Sequence, residues 1–214
     1  MALRKLRTVA SEFRKDLRAN KRLAADAHHL SLPSPQGKRP LFSRHRRDSI
    51  TELAFFRAFL SWEAFLEESF ILFMLGQTRP RGRSPVRYAF PPTQRAAADW
   101  VAEGQRFARW SRAAEVSSRA ERFFRDGKPF SPVLRGNQNV LDEIRIIRNA
   151  VAHSSKSAQE KFKMLVRNKL GVVPPDLTVG NFLGTTIAGS TPPISYFDDY
   201  VSQIEFAASR IIGS

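Results

Sequence analysis

The chain has 214 residues and no cysteine, and its 35 Lys and Arg against 20 Asp and Glu give a formal net charge of +15. This length fits one domain with an appendage, and the lack of cysteine excludes disulfides, cysteine zinc sites and thiol nucleophiles. An apolar content of 42% supports a packed core, and the positive charge favours a polyanionic partner such as nucleic acid.

The N-terminal part predicts a basic helical arm. Residues 1–50 hold 13 basic and 4 acidic side chains, and apolar side chains recur there at helical spacing, at Leu3, Leu6, Val9, Phe13 and Leu17. We expect a helix from about residue 3 to 29 and then a loop rich in proline and arginine. The start has no apolar run of signal-peptide length, so we expect a cytoplasmic protein. The alternative for a basic amphipathic start is a transit peptide, against which Glu12 and Asp16 argue. We assign residues 1–47 to this arm, packed on the same domain, and 48–214 to a helical domain.

The remaining segments predict helices separated by loops. A capping-box pattern, Ser49 with Glu52, opens a long apolar helix that stops at Gly76, and its charged residues argue against a membrane span. Further helices are predicted over 93–126, 137–154, 157–171 and 195–212. The first of these is either continuous or broken near Ser111 or Ser117, and the third is opened by a capping box at Ser157. The segment KPFSPVLRG is predicted to be a connection. We found no convincing strand pair, so the predicted fold class is all-α.

The loop at 77–92 combines cations with an aromatic ring, a mixture that RNA-binding proteins use for phosphate contact and base stacking. We therefore predict that it binds substrate through the side chains of Arg79, Arg81, Arg83, Arg87 and Tyr88. The alternative is a solvated loop with no ligand.

The helix NQNVLDEIRIIRNAVAHSS carries the chemistry. Its apolar stripe, Val140, Ile144, Ile147 and Val151, is predicted to face the core. Asn149 and His153 share another face at i,i+4 spacing, and Arg148 lies beside them. Histidine transfers protons near neutral pH, and arginine stabilises charge on phosphate oxygens. The alternative is a solvated helix face whose histidine bonds the last carbonyls.

The pattern Arg148-Asn149-x-x-x-His153 resembles the Arg-x(4–6)-His signature of the HEPN superfamily, and the chain is most similar to its RiboL-PSP-like stand-alone prokaryotic members. The resemblance spans roughly residues 49–212. It implies a HEPN-like helical bundle and a homodimer with a composite cleft, in which Arg148 and His153 are catalytic and Asn149 is the polar residue often found there. The implied activity is an endoribonuclease that uses no metal or cofactor and leaves a 2′,3′-cyclic phosphate.

The resemblance also implies a toxin or antiviral effector, with an antitoxin or another regulatory protein as a possible partner and no membrane partner. The rival interpretation is a non-catalytic HEPN-like module that binds RNA, a nucleotide or a protein. Glu63, Glu67 and Arg57 either line the cleft or form ordinary surface interactions. His28, His29 and His45 lack ligand spacing, so no metal site is expected.

Overall fold

The computed structural model describes residues 4–33, 39–79, 84–106 and 108–213. The predicted all-α class is confirmed. The helices of these residues are α1 (Leu6–Leu30), α2 (Arg44–Met74), α3 (Gln94–Ala102), α4 (Ala113–Phe123), α5 (Phe130–Gly136), α6 (Gln138–Ala152), α7 (Lys156–Leu170), α8 (Val179–Gly184) and α9 (Tyr196–Ile212). Extended pairing in the described part is limited to two isolated bridges, Arg87 with Phe124 and Thr186 with Ser195.

The chain groups into two compact units, and the first is built from three segments, Met1–Lys15, Ser61–Asp142 and Ile204–Ser214. Aromatic packing around Phe70 holds its centre, with ring centroids 5.0 Å from Phe124 and 4.9 Å from Phe130. Four members of the predicted α1 stripe are buried, Leu6, Val9, Phe13 and Leu17, and Leu3 lies outside the described residues. Phe13 stacks on Phe65 with ring centroids 4.9 Å apart. The start of the basic arm is thus anchored by ordinary hydrophobic burial.

The second unit is built from Asp16–Leu60 and Glu143–Gln203. Phe182 stacks on Tyr196 with ring centroids 4.6 Å apart, and Tyr200 is fully buried. The Tyr200 hydroxyl donates to Glu143 at 2.9 Å, and Glu143 pairs with Lys169 at 2.8 Å. A buried polar group is thereby satisfied. The division into an arm at 1–47 and a domain at 48–214 stays a prediction.

Two helices begin at other residues than the capping boxes predicted. The long helix α2 begins at Arg44, where the Ser43 hydroxyl accepts from the Arg46 amide at 3.2 Å, so Ser49 lies inside the helix. The helix α7 begins after Ser155, whose hydroxyl accepts from the Ala158 amide at 3.3 Å. Both predictions were wrong because another serine stood upstream and capped the helix first.

The structure contains one helix that the sequence did not predict, and it decides one boundary that the sequence left open. The segment KPFSPVLRG is not a plain connection, since it contains α5, which buries Phe130 and Leu134. Pro132 is tolerated because it lies in the first turn, where an amide has no intrahelical acceptor. The segment 93–126, predicted as one helix or as a helix broken near Ser111 or Ser117, is divided in two. Glu103 follows α3 in the left-handed conformation at φ 53°, and α4 begins at Ala113.

None of the helices in the described ranges combines the length and apolar character that crossing a membrane requires.

Candidate functional site

Helix α6 presents one face to the core and another to solvent, as its sequence pattern predicts. Ile144 and Ile147 are buried, and Val140 and Val151 are half-buried. Leu141 and Ala150 are buried as well, so the contact face is wider than the predicted stripe. The outward face is left to polar side chains at its C-terminal end.

The end of α6 is held by the helix that follows it. The His153 amide donates to the Asn149 backbone carbonyl at 2.9 Å, which holds His153 directly after the last residue of α6. The Gln159 side chain on α7 donates to the carbonyls of Ala150 at 3.0 Å and His153 at 3.3 Å. These bonds satisfy carbonyls that a helix end otherwise leaves unpaired. The backbone that carries His153 is therefore fixed, while its imidazole remains exposed.

A small pocket of about 220 Å³ lies between the outward face of α6 and the start of α7. Asn149 and His153 are both on its wall, together with Arg145, Ile146, Ser155, Ser157, Ala158 and Lys161. An imidazole, an amide, two cations and two hydroxyls thus face one space. These groups match a phosphodiester, because the cations and amide bind its oxygens and the imidazole moves a proton.

Arg148 does not line this pocket. Its guanidinium lies over two rings of α2, 5.5 Å from the centroid of Phe56 and 5.6 Å from that of Phe59. It also donates to the side-chain oxygen Oδ1 of Asn149 at 3.2 Å. The structure therefore brings Asn149 and His153 together, and Asn149 connects this pair to Arg148. An arginine stacked on aromatic rings keeps its charge and a fixed direction.

The predicted loop residues fall into four groups. Arg79 lines a separate, larger pocket in the first unit, and Arg81 and Arg83 lie outside the described residues. Arg87 donates to the Met74 carbonyl at 2.7 Å and stacks on Phe90 at 4.8 Å, so it caps the C-terminus of α2. Tyr88 is exposed, and its predicted base-stacking role stays a prediction.

The other histidines and the carboxylates of the long helix have individual surroundings. His28 packs beside Thr51, 3.4 Å from its hydroxyl, and burial lowers the pKa of its imidazole, as does the charge of Arg47. His29, His45 and Arg57 are exposed. Glu68 pairs with Arg4 at 2.6 Å. Within the described ranges, no group of three or more His, Asp or Glu side chains is placed to hold a metal ion.

Sequence reasoning missed Arg145 and Lys161. Arg145 stands four residues before Asn149, which stands four before His153, so one helical ridge carries all three. That signal was present in the sequence. Lys161 belongs to the next helix, and its approach depends on the short turn at Ser154 and Ser155, which spacing alone does not reveal.

Comparisons with protein-family models, with curated proteins and with solved structures found no match for this chain.

Proposed function

We propose that this protein is an endoribonuclease of HEPN type that cleaves RNA by attack of the ribose 2′-hydroxyl. The observation that carries the proposal is the pocket in which Asn149 and His153 face Arg145 and Lys161. The resemblance of Arg148-Asn149-x-x-x-His153 to the HEPN signature supports it, as does the net charge of +15.

The reaction needs two proton transfers and stabilised charge. The imidazole of one copy of His153 takes the 2′-hydroxyl proton while the 2′-oxygen forms a bond to phosphorus. The bond from phosphorus to the 5′-oxygen breaks, and a protonated imidazole gives that oxygen its proton. The products are a 2′,3′-cyclic phosphate and a 5′-hydroxyl end. No metal is part of this sequence of steps.

The neighbouring groups have distinct parts. Arg145 and Lys161 bind the non-bridging oxygens and stabilise their charge in the transition state. Asn149 accepts from Arg148 through its carbonyl oxygen, so its NH₂ group is directed elsewhere and orients a phosphate oxygen or the imidazole. Arg148 is the proposed catalytic cation of the composite cleft.

One protomer offers one histidine on this pocket, whereas the reaction uses a base and an acid. A two-fold homodimer supplies both, because it places two copies of the same helix face opposite each other. We therefore propose that the active form is a homodimer in the cytoplasm. By family analogy its role is that of a toxin or an antiviral effector, with an antitoxin or another protein as regulator.

The placement of Arg148 favours a second candidate. Its guanidinium is half-buried over Phe56 and Phe59 and off the pocket wall, as a structural arginine would be. In that case the domain is a non-catalytic module, and the Asn149 pocket binds a phosphate of RNA without cleaving it.

RNA cleavage with end-group analysis tests the proposal. Wild type, His153→Ala and the control His45→Ala, which changes an exposed histidine elsewhere, are incubated with total RNA in EDTA. We expect wild type and His45→Ala to leave 2′,3′-cyclic phosphate ends and His153→Ala to leave RNA intact. Cleavage by His153→Ala, or dependence on a divalent metal, contradicts the proposal. Intact RNA with salt-sensitive binding favours the second candidate.

A further inference from the structure

A pocket with a volume of about 820 Å³ lies in the first unit. It is built from the chain after α2, the segment between α4 and α5, and the end of α9. The Arg125 amide donates to the Val86 carbonyl at 2.9 Å, which holds two of these segments together. Small-molecule pockets typically span about 300–1,000 Å³, so this one holds more than a single inorganic ion.

The charged groups of this pocket are strongly unbalanced. Arg79, Arg125, Lys128 and Arg210 face Asp126 as the lone carboxylate among its lining residues. Asp126 is already paired with Lys128 at 3.1 Å. No carboxylate of the described residues lies within 4.0 Å of the guanidinium of Arg79, Arg125 or Arg210.

Arg79 and Arg210 oppose each other electrostatically. Arg79 is half-buried, and burial lowers the pKa of its guanidinium, while the positive charge of Arg210 lowers it further. Guanidinium stays protonated at neutral pH, so the folded chain retains this repulsion. An arginine that is held near another cation and partly removed from water contributes little to folding. Its position is explained if an anion completes the site.

The pocket also has apolar lining residues, which are Pro129, Pro132 and Val133 of the α5 region together with Pro85 and Val86. A simple phosphate site needs no such surface. A ligand with a flat, weakly polar ring beside a chain of phosphates matches both parts, because the ring buries apolar area and the phosphates pair with the guanidiniums.

We propose that this pocket binds a nucleotide, with its phosphates between Arg79 and Arg210 and its base against the wall of Pro129 and Val133. Arg125 lies within the same cationic rim, and the Asp126 carboxylate accepts from a ribose hydroxyl or a base amino group. The site belongs to a different unit from His153, and the proposal does not rest on the nuclease activity.

Equilibrium binding of ATP in metal-free buffer tests the site, with inorganic tripolyphosphate as a second probe. Arg79→Gln and Arg210→Gln remove one cation each, and Arg95→Gln removes an exposed one from α3. We expect each pocket variant to weaken ATP binding about tenfold, the equivalent of one charge-assisted hydrogen bond. Arg95→Gln is expected to change the affinity less than about twofold, and tripolyphosphate to bind more weakly than ATP, because it lacks the base.

Thermal unfolding without ligand separates a ligand site from a structural one. Because Arg79→Gln relieves a repulsion, we expect its melting temperature without ligand to equal or exceed that of wild type. At one fixed concentration, ATP is expected to raise the melting temperature of the two pocket variants less than that of wild type. Equal ATP affinity in all variants overturns the proposal. A second outcome also overturns it: the pocket variants lose binding to a single-stranded 12-nucleotide RNA, while ATP neither binds to wild type nor competes with that RNA. The pocket would then be part of an RNA-binding surface. His153→Ala is expected to bind ATP normally, so failure of the nuclease proposal leaves this result unaffected.

Discussion

The imidazole of His153 is exposed at the end of α6. Lys161, on the following helix α7, is a cation that lines the same pocket. If Lys161 binds a phosphate oxygen in the transition state, Lys161→Gln lowers the rate of RNA cleavage about 10- to 100-fold. Lys163→Gln, an exposed lysine two residues further along α7, is the matched control and is expected to stay near wild type. Single-turnover cleavage of one defined RNA measures both. Equal loss in the two variants would indicate a general effect of charge.

His28 predicts a dependence of stability on pH. Burial lowers the pKa of its imidazole below the ordinary value of 6.5, so near that pH the unfolded chain binds more protons than the folded one. The contribution of neutral His28 to the free energy of unfolding is therefore fully present above about pH 6.5. It is lost as the pH decreases towards the folded-state pKa of this imidazole. Urea unfolding between pH 7.5 and 5.5 measures this. We expect His28→Gln to show a shallower loss than wild type.

The control for this pH experiment is the neighbouring histidine. His29 is exposed, so His29→Gln is expected to keep the pH dependence of wild type. The prediction fails if His28→Gln and wild type lose stability in parallel on acidification.

At the scale of elements, the short helix α8 is fastened to the start of α2. The Thr178 hydroxyl donates to Asp48 at 2.9 Å, and the Gly180 amide donates to Glu52 at 2.9 Å. A Cβ on Gly180 would stand 2.2 Å from the Asp48 carbonyl oxygen. Gly180→Ala is therefore expected to destabilise the protein by about 1–3 kcal/mol, because the two backbones must move apart.

Chemical denaturation checks this, with Gly136→Ala as its control. A Cβ on Gly136 meets nothing within 4 Å, and alanine restricts the unfolded chain more than glycine does, so this variant is expected to match or slightly exceed wild type, by up to about 1 kcal/mol. A Gly180→Ala protein as stable as wild type would mean that α8 is less tightly held than the contact implies.

Elements with strong periodicity were the predictable ones. The stripe of α1, the long apolar α2 and the inward face of α6 follow from spacing alone. Gly171 ends α7 in the left-handed conformation, at φ 75°, as its sequence predicted. The start of α7 was missed because Ser155 caps the helix ahead of Ser157. The helix α5 was missed because it depends on the burial of Phe130, which has no local sequence signal.

The candidate site was predictable to the same extent. Asn149 and His153 share a face because they are four residues apart on one helix. Lys161 joins them through a turn between two helices, and Arg148 leaves them because Phe56 and Phe59 of α2 attract its guanidinium. Such contacts depend on tertiary packing and have no local sequence signal.

At the scale of the whole molecule, the net charge of +15 predicts how RNA binding responds to salt. Each phosphate contact releases counterions, so the logarithm of the affinity falls linearly with the logarithm of salt concentration. Filter binding of a single-stranded RNA to His153→Ala, which does not consume it, measures the slope. We expect a slope of about −3 or steeper. For single-stranded RNA, with about −0.7 per phosphate contact, this slope corresponds to several phosphate contacts. A flat dependence would contradict an electrostatic interface with RNA.

The proposed composite cleft makes a quantitative prediction about mixed dimers. If cleavage needs one His153 as base and the other as acid, a dimer with one His153→Ala subunit is inactive. The test unfolds wild type and His153→Ala together in equal amounts and refolds them. About one quarter of the dimers then contain two wild-type subunits, so activity is expected to fall to about a quarter of that of refolded wild type at the same total protein concentration. Independent sites would retain about half. Wild type mixed in the same way with His45→Ala is expected to lose no activity, which shows that refolding itself is not the cause. Retention of half the activity would place both proton transfers within one protomer and remove the need for the dimer.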